Sequence, residues 1–372
     1  MIDTRAEAGA PARVRLERRL HVETRRSALV RIAGLLVALV VAGILLQASG
    51  RSAPTLAGEV FRATFGGRFG LEETALLATP ILIDAIAVAI GLRMHLWNIG
   101  VEGQFYMGAW AAAGVGIFVD APRPVLLILM ALAGAAGGAS WILIPAIARA
   151  FWSVNEIITT LLLNFVAVSW VEWFSIGPWR DKEAAVVQAT PPVGARLPLL
   201  PGSIILHVGF LLPLLLAVVF FFVFRNSRWG FEVDMVGGNP RAAEFAGIAV
   251  RRRILSVMLL SGAIAGVSGM VHLSGATGRL QGTISNAYGL SGFIVAALAG
   301  ASFLGLLAGG LFIALLLHSG IVLQSAGLSV YIVLAIYGVV LIGISVGEMA
   351  SRYRLVLGGK RDLASRPMEA PP

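Results

Sequence analysis

The feature that most constrains this chain is a series of apolar runs, each close to the ~20 residues that cross a bilayer as a helix. They lie near residues 29–48, 74–93, 104–119, 124–148, 156–176, 204–224, 254–274, 285–302, 303–324 and 328–347. The runs are continuously apolar, whereas the strands of a membrane barrel alternate in polarity over ~10 residues. Only 13% of the 372 residues are charged, too few to cover a water-soluble surface of this size. The sequence therefore predicts an all-α, polytopic transmembrane helix bundle of about ten spans, eight to ten in all. Between the eighth and ninth runs, at Gly300–Gly305, there is no polar loop to mark the division.

Basic residues set the expected orientation, because Lys and Arg accumulate in cytoplasmic loops. The first 31 residues hold eight Arg against four acids, which suits the inside and is too charged for a usual signal-peptide start. The 49–73 loop balances three Arg with three Glu, which suits the outside. The 225–253 loop, with six Arg against three acids, belongs inside, as does the tail with Arg352, Arg354, Lys360, Arg361 and Arg366. Either even number of spans places both termini in the cytoplasm. The expected organisation is a basic cytoplasmic segment 1–28, a transmembrane domain 29–350 and a cytoplasmic tail 351–372. The net charge of +9 is thus explained by topology, with no need for a nucleic-acid partner. The chain has no cysteine, which excludes disulfides, thiolate metal sites and a Cys nucleophile. Neither of its two lysines, Lys182 and Lys360, stands in a G-x-x-x-x-G-K-[ST] pattern, so no phosphate-binding loop is present.

Polar groups at membrane depth are costly unless paired or wetted, and so they are functional candidates. Asp84, in "TPILIDAIAVAIG", either lines a path or pairs with a base from another helix. The stretch "WNIGVEGQF" (97–105) places Asn98, Glu102 and Gln104 between two apolar runs. It reads either as a simple interior turn or as a broken helix whose freed backbone groups lie in protein or a wet cavity. Its polar side chains either face a ligand or brace a gate. In "VNEIITTLLLNF" (154–165), Asn155 suits a helix cap, while Thr160 and Asn164 share a helix face further in. Ser285, Asn286, Tyr288 and Ser291 suit either a cap or a path. His207, His272 and His318 show no metal-binding spacing, so no metal site is expected, and no nucleophile–base arrangement is legible.

The interior loop 225–253 contains a short, well-punctuated helix. Asn239 is a suitable N-cap, Pro240 fits the first helical position, and Arg241, Ala242, Ala243, Glu244, Phe245 and Ala246 lead to a terminating Gly247. Two turns are too few to be stable alone. The segment is therefore either a structural elbow under the bundle or a docking helix for a partner.

Together, "NIGVEGQFYMGAWAA" (98–112), "NEIITTLLLNF" (155–165), "GPWRDK" (177–182), "GFEVDMVGGNPRAAEFAGI" (230–248) and "LSGAIAGVSGMVHLSG" (260–275) resemble the permease subunits of bacterial ABC importers for simple sugars and nucleosides. That group also includes ribose-type and branched-chain amino-acid permeases. The resemblance implies a multi-pass protein of the bacterial cytoplasmic membrane, paired with a second, identical or different, membrane subunit. It further implies an extracytoplasmic substrate-binding protein and two cytoplasmic ATPase subunits, which carry ATP and magnesium and perform hydrolysis, so that this chain is not itself an enzyme and binds no cofactor. The 239–247 helix then matches the element that docks on the ATPase. Asp84, Asn98, Glu102, Gln104 and Asn164 are the candidates for the substrate path. The sequence departs from the family where relatives carry "TGL" and this chain has "IDA" around Asp84, and again after "VAALAG" (295–300). A competing class is a proton-coupled secondary transporter using Asp84 or Glu102. A membrane scaffold is a third, and it gives no reason for polar groups at several depths.

Overall fold

A computed structural model describes residues 14–18, 24–48, 50–183, 188–300 and 302–357. Most of the basic N-terminal segment and of the tail lies outside the described residues. The helices among them are α1 (Thr24–Ala48), α2 (Ala53–Phe65), α3 (Arg68–Leu92), α4 (Val101–Phe118), α5 (Arg123–Trp152), α6 (Glu156–Ile176), α7 (Leu211–Asn226), α8 (Arg228–Gly238), α9 (Pro240–Phe245), α10 (Val250–His272), α11 (Tyr288–Ala299), α12 (Phe303–Ser325) and α13 (Val330–Arg352). They divide into two units. One comprises the described residues up to Ala57 and from Gln324 on; the other is Gly58–Leu323.

In the first unit, α1 packs on α13 through small residues. A methyl group at Gly34 would lie 2.7 Å from the Gly343 carbonyl oxygen and 2.9 Å from Gly347 Cα. Such close backbone approach is how helices associate where lipid is the competing solvent. Two strands, β1 (Val14–Arg18) and β2 (Tyr353–Leu357), pair antiparallel, with Val14 opposite Leu357.

In the second unit, α3 and α10 form the core. Apolar on all sides, α3 is buried continuously from Leu77 to Gly91. The two helices run antiparallel in matched register: Ser261 Oγ donates to the Ala87 carbonyl at 2.6 Å and Ser268 Oγ to the Pro80 carbonyl at 3.2 Å. Against α10, α5 crosses where Gly134 and Gly138 meet Gly262 and Gly266, and a Cβ at Gly266 would collide with the Gly134 carbonyl.

Among the described residues, seven helical segments are long and apolar enough to span a bilayer, and eight if Ile32–Ala48 and Ala53–Phe65 count as one bent span. Two of the ten expected runs behave differently. The 104–119 run belongs to α4, whose first turn carries Glu102 and Gln104. The 285–302 run yields only the 12 residues of α11, a rise of about 18 Å against a hydrocarbon core of ~30 Å. The 49–73 loop is largely α2.

One end of the second unit collects the α3–α4 turn, the α5–α6 junction and the α8–α9 segment. Arg251 lies over the Phe151 ring at 5.5 Å there. At the opposite end, the 188–207 loop is stitched down by Val193 N–H to the Gly278 carbonyl (2.9 Å) and by Glu72. Glu72 accepts from Ser203 Oγ (2.7 Å) and from the N–H groups of Ile204 (2.7 Å) and Ile205 (2.9 Å), and pairs with Arg68.

Candidate functional site

The chain breaks between α3 and α4. His95 adopts a left-handed backbone conformation, φ 55°, which turns the chain back into the bundle. The next helix then starts well inside the protein, because α4 is flanked by α10 at Phe105–Gly269 and Gly108–Gly266. An interior helix start leaves N–H groups without partners, and the polar side chains of 97–105 answer that need.

Asn98 and Gln104 form a reciprocal pair. Asn98 Nδ2 donates to Gln104 Oε1 at 2.9 Å, and Gln104 Nε2 donates to Asn98 Oδ1 at 2.8 Å. Asn98 Nδ2 also donates to Ser261 Oγ at 2.9 Å, which extends the network to the Ala87 carbonyl. Asn164, on α6, grips the same turn from the other side. Its Oδ1 accepts from Gly103 N–H (2.8 Å) and its Nδ2 donates to the Ile99 carbonyl (2.9 Å). Glu156 accepts from Trp97 N–H at 3.2 Å and pairs with Arg149. Asn155 caps α6 through Ile157 N–H at 2.9 Å.

Glu102 turns toward α11. Its Oε2 accepts from Gly289 N–H (2.7 Å) and Leu290 N–H (3.2 Å), a carboxyl placed on exposed amide donors at a helix start. Ser285 Oγ accepts from Tyr288 N–H at 3.0 Å and so acts at the same cap.

Asp84 differs from the others. It is fully buried, with 0% exposure, and neither carboxyl oxygen receives a hydrogen bond among the described residues. The Ser268 hydroxyl, which lies within its reach, is donated to Pro80. Asp84 sits between the two serine rungs of α3 and α10 and under Gly292 of α11.

The structure thus brings Asn98, Gln104 and Asn164 into one braced turn, places Glu102 on α11, and leaves Asp84 without a partner. Sequence reasoning missed Ser261, Ser268, Gly289 and Gly292. The seven-residue spacing of the two serines, two helical turns apart on one face, was the available signal.

The 239–247 segment lies at the end of the bundle that holds the α3–α4 turn. Asn239 Oδ1 accepts from Arg241 N–H and Ala242 N–H, both at 3.1 Å, Pro240 opens α9, and Gly247 ends the turn at φ 79°. Ala243 is buried, while Ala242, Glu244 and Ala246 are exposed and Phe245 is 94% exposed. Behind α9, α8 is anchored to both core helices. Arg93 Nη1 pairs with Asp234 at 3.0 Å, His95 Nδ1 meets the Gly237 carbonyl at 3.1 Å, and Glu232 is held by Arg228 and Arg253. Burial opposes the charge on Glu232, but the two guanidinium groups outweigh it and keep its carboxyl below the usual range. At the opposite end, burial and then Arg196 lower the His207 pKa from 6.5 to about 4. Among the described residues, no group of three His, Asp or Glu side chains is placed to hold a metal ion.

The family model for the permease component of branched-chain amino acid transport systems matches residues 70–345. The glucose ABC transporter permease protein TsgB13 of Haloferax volcanii is 34% identical over 347 residues, 90% of this chain and 91% of the relative. The guanosine ABC transporter permease protein NupP of Bacillus subtilis is 32% identical over 247 residues, 66% of this chain and 71% of the relative. The nucleoside ABC transporter permease protein NupB of Lactococcus lactis is 29% identical over 267 residues, 67% and 71% respectively. No solved structure matches the chain.

Proposed function

The chain belongs to the family of permease components of branched-chain amino acid transport systems, and on that premise we propose that it forms the translocation path of an ABC importer for a nucleoside or a simple sugar. The substrate class follows its relatives, which are named for glucose, guanosine and nucleosides. ATP and magnesium belong to separate ATPase subunits, on which α9 docks. A second membrane subunit completes the path, and a substrate-binding protein delivers the ligand at the face opposite α9. The protein resides in the cytoplasmic membrane with both termini inside.

One observation carries this reading: Phe245 stands 94% exposed on a helix that is capped at both ends and anchored behind. A large apolar side chain held out by a rigid support is a docking element, since a merely structural elbow would bury it. The anchors also give the coupling a route. A shift of α9 moves α8, and α8 pulls Arg93 and His95 at the end of α3 and Arg253 near the start of α10. Asp84 lies on the first of these helices, between its two serine contacts with the second.

The test is Phe245→Asp. The variant inserts normally but no longer co-purifies with the ATPase subunit, and uptake is lost. Undiminished co-purification sinks the docking assignment. The proton-coupled reading makes the opposite demand, uptake by this chain alone in vesicles with a proton gradient, and it leaves Phe245 without a task.

A further inference from the structure

We propose that α11 is a cover latched shut by Glu102, and that the Asp84 carboxyl beneath it is the acceptor for hydroxyl or N–H donors of the transported solute. The proposal rests on the reading of this chain as a transport path.

Three independent features point to it. First, Asp84 is buried at mid-bundle with both oxygens lacking a hydrogen bond among the described residues, although the polar groups around it are paired. A buried polar group without a partner is costly in hydrocarbon. Of the neighbouring groups, the Ser268 hydroxyl lies within reach of the carboxyl but is donated elsewhere. On α10, Ser268 donates to Pro80; on α4, Glu102 is engaged with α11; on α11, Gly292 offers no side chain. The missing partner is a donor, and a solute rich in hydroxyl or N–H groups supplies one.

Second, α11 has the form of a cover and not of a span. Its 12 residues do not cross a bilayer. It is bounded by two left-handed residues, Ala287 at φ 59° and Gly300 at φ 61°, so each end is a sharp joint. Its buried face carries Gly289 and Gly292 beside Tyr288, Val295 and Ala296. A methyl group at Gly292 would lie 2.8 Å from Asp84 Cβ, and one at Gly289 would lie 2.5 Å from Glu102 N. The helix backbone therefore approaches α3 and α4 closely at these two glycines, and opening the cover also withdraws the buried Tyr288 ring from Phe105 and His272.

Third, the latch is polar and localised. The hydrogen bonds that attach the α11 start to α4 run from the N–H groups of Gly289 and Leu290 to Glu102 Oε2, beside the packing of Tyr288 on Phe105. Two hydrogen bonds of this kind hold the closed state yet break within a transport cycle, and the freed N–H groups then face the opened space together with Asp84. Glu102 acts here as a positioning residue and Asp84 as the ligand contact.

The absence of native cysteine gives a direct test. The full chain carrying Asp84→Cys, in membrane vesicles with its own transporter subunits, is reacted with N-ethylmaleimide. Asp120→Cys in the exposed loop between α4 and α5 serves as the reactive standard. Without nucleotide, the thiol at 84 reacts far more slowly than the standard. Adding Glu102→Ala, which removes the hydrogen bonds to Gly289 and Leu290, or separately Gly289→Ala, whose methyl group meets Glu102 N, accelerates it about tenfold or more. Equal rates in the presence and absence of both latch changes overturn the cover. This arm needs no ATPase docking, so it stands or falls apart from the coupling assignment.

The ligand role is tested by uptake of labelled glucose and guanosine by Asp84→Leu and Asp84→Asn. Leu fills the space and removes the unpaired carboxyl, so the protein melts no lower than the parent, yet uptake falls at least about tenfold; Asn, which keeps a carbonyl acceptor, retains part of it. Parental uptake by the Leu variant overturns the ligand role. Loss of uptake accompanied by a lower melting temperature in both variants assigns Asp84 a structural role and overturns it equally.

Discussion

Arg93 Nη1 lies 3.0 Å from Asp234 Oδ1, and its guanidinium stacks over the Phe224 ring at 4.1 Å, so one side chain at the end of α3 holds both α7 and α8. Asp234 is 47% exposed and Arg93 23% exposed. An ion pair this accessible contributes only about 0.2–1 kcal/mol to stability. Its value lies in register, since α8 carries α9.

The first prediction separates those two roles. Asp234→Ala lowers the melting temperature little but reduces solute moved per ATP hydrolysed. The exchange variant with Arg93→Asp and Asp234→Arg recovers part of that ratio, although the stacking on Phe224 is lost. Purified complex in proteoliposomes gives both quantities. A ratio unchanged in Asp234→Ala removes the pair from the coupling route.

A second prediction concerns pH. Burial and Arg196 hold the His207 pKa at about 4, below its ordinary 6.5. The unfolded chain therefore binds the proton more readily than the folded one between these values. Stability is fully present above pH 6.5 and is lost progressively as pH falls toward 4. Protonation also ends the hydrogen bond that Nδ1 accepts from Gly209 N–H at 3.1 Å. Melting temperature measured from pH 7.5 to 4 falls in the parent, and His207→Gln flattens the part of that fall below pH 6.5. An identical profile in both assigns the acid sensitivity elsewhere.

The third prediction uses the glycine crossing of α5 and α10. A Cβ at Gly266 meets the Gly134 carbonyl, a backbone atom that cannot swing aside, whereas Gly43 on α1 has nothing within 4 Å. Gly266→Leu therefore prevents assembly of the core, with the loss of several kcal/mol typical of overpacking at backbone. Gly43→Ala is neutral or stabilising by up to about 1 kcal/mol, the helix-propensity difference. Yield and melting temperature in detergent distinguish them, and a well-folded Gly266→Leu variant refutes the tight crossing.

Much of the architecture is legible locally. Apolar length announces α3, α5, α6, α10, α12 and α13, and the Asn239–Pro240–Gly247 punctuation announces α9, because caps and hydrophobic runs are encoded within a few residues. What is not legible is long-range. Glu102 finds its partners 187 and 188 residues away on α11, and Asn164 grips Gly103 across 61 residues. No spacing rule reaches that far. For the same reason, 285–302 reads as a full span when it is a half-length helix. Its composition is apolar enough, and only the position of its start against α4 makes it short. The candidate residues were recognisable as costly in lipid, but the division between bracing and unpartnered groups depends on which neighbours fold against them.

The last prediction tests that division at Asn98 and Gln104, whose amides bond reciprocally at 2.8 and 2.9 Å inside the bundle. If they brace the α4 start, removing one leaves the other with an unsatisfied buried amide, at a cost of about 1–3 kcal/mol. Removing both leaves two apolar side chains of similar volume and restores part of the loss. Asn98→Leu therefore destabilises more than its size implies, because Ser261 Oγ also loses its donor, and Gln104→Leu destabilises too. The double variant melts above the sum of the singles, with a coupling of about 0.5–3 kcal/mol in favour of the pair. Uptake follows the melting temperatures. Strict additivity, or uptake lost with stability unchanged in both singles, means the two amides do not act as a brace and face the solute instead.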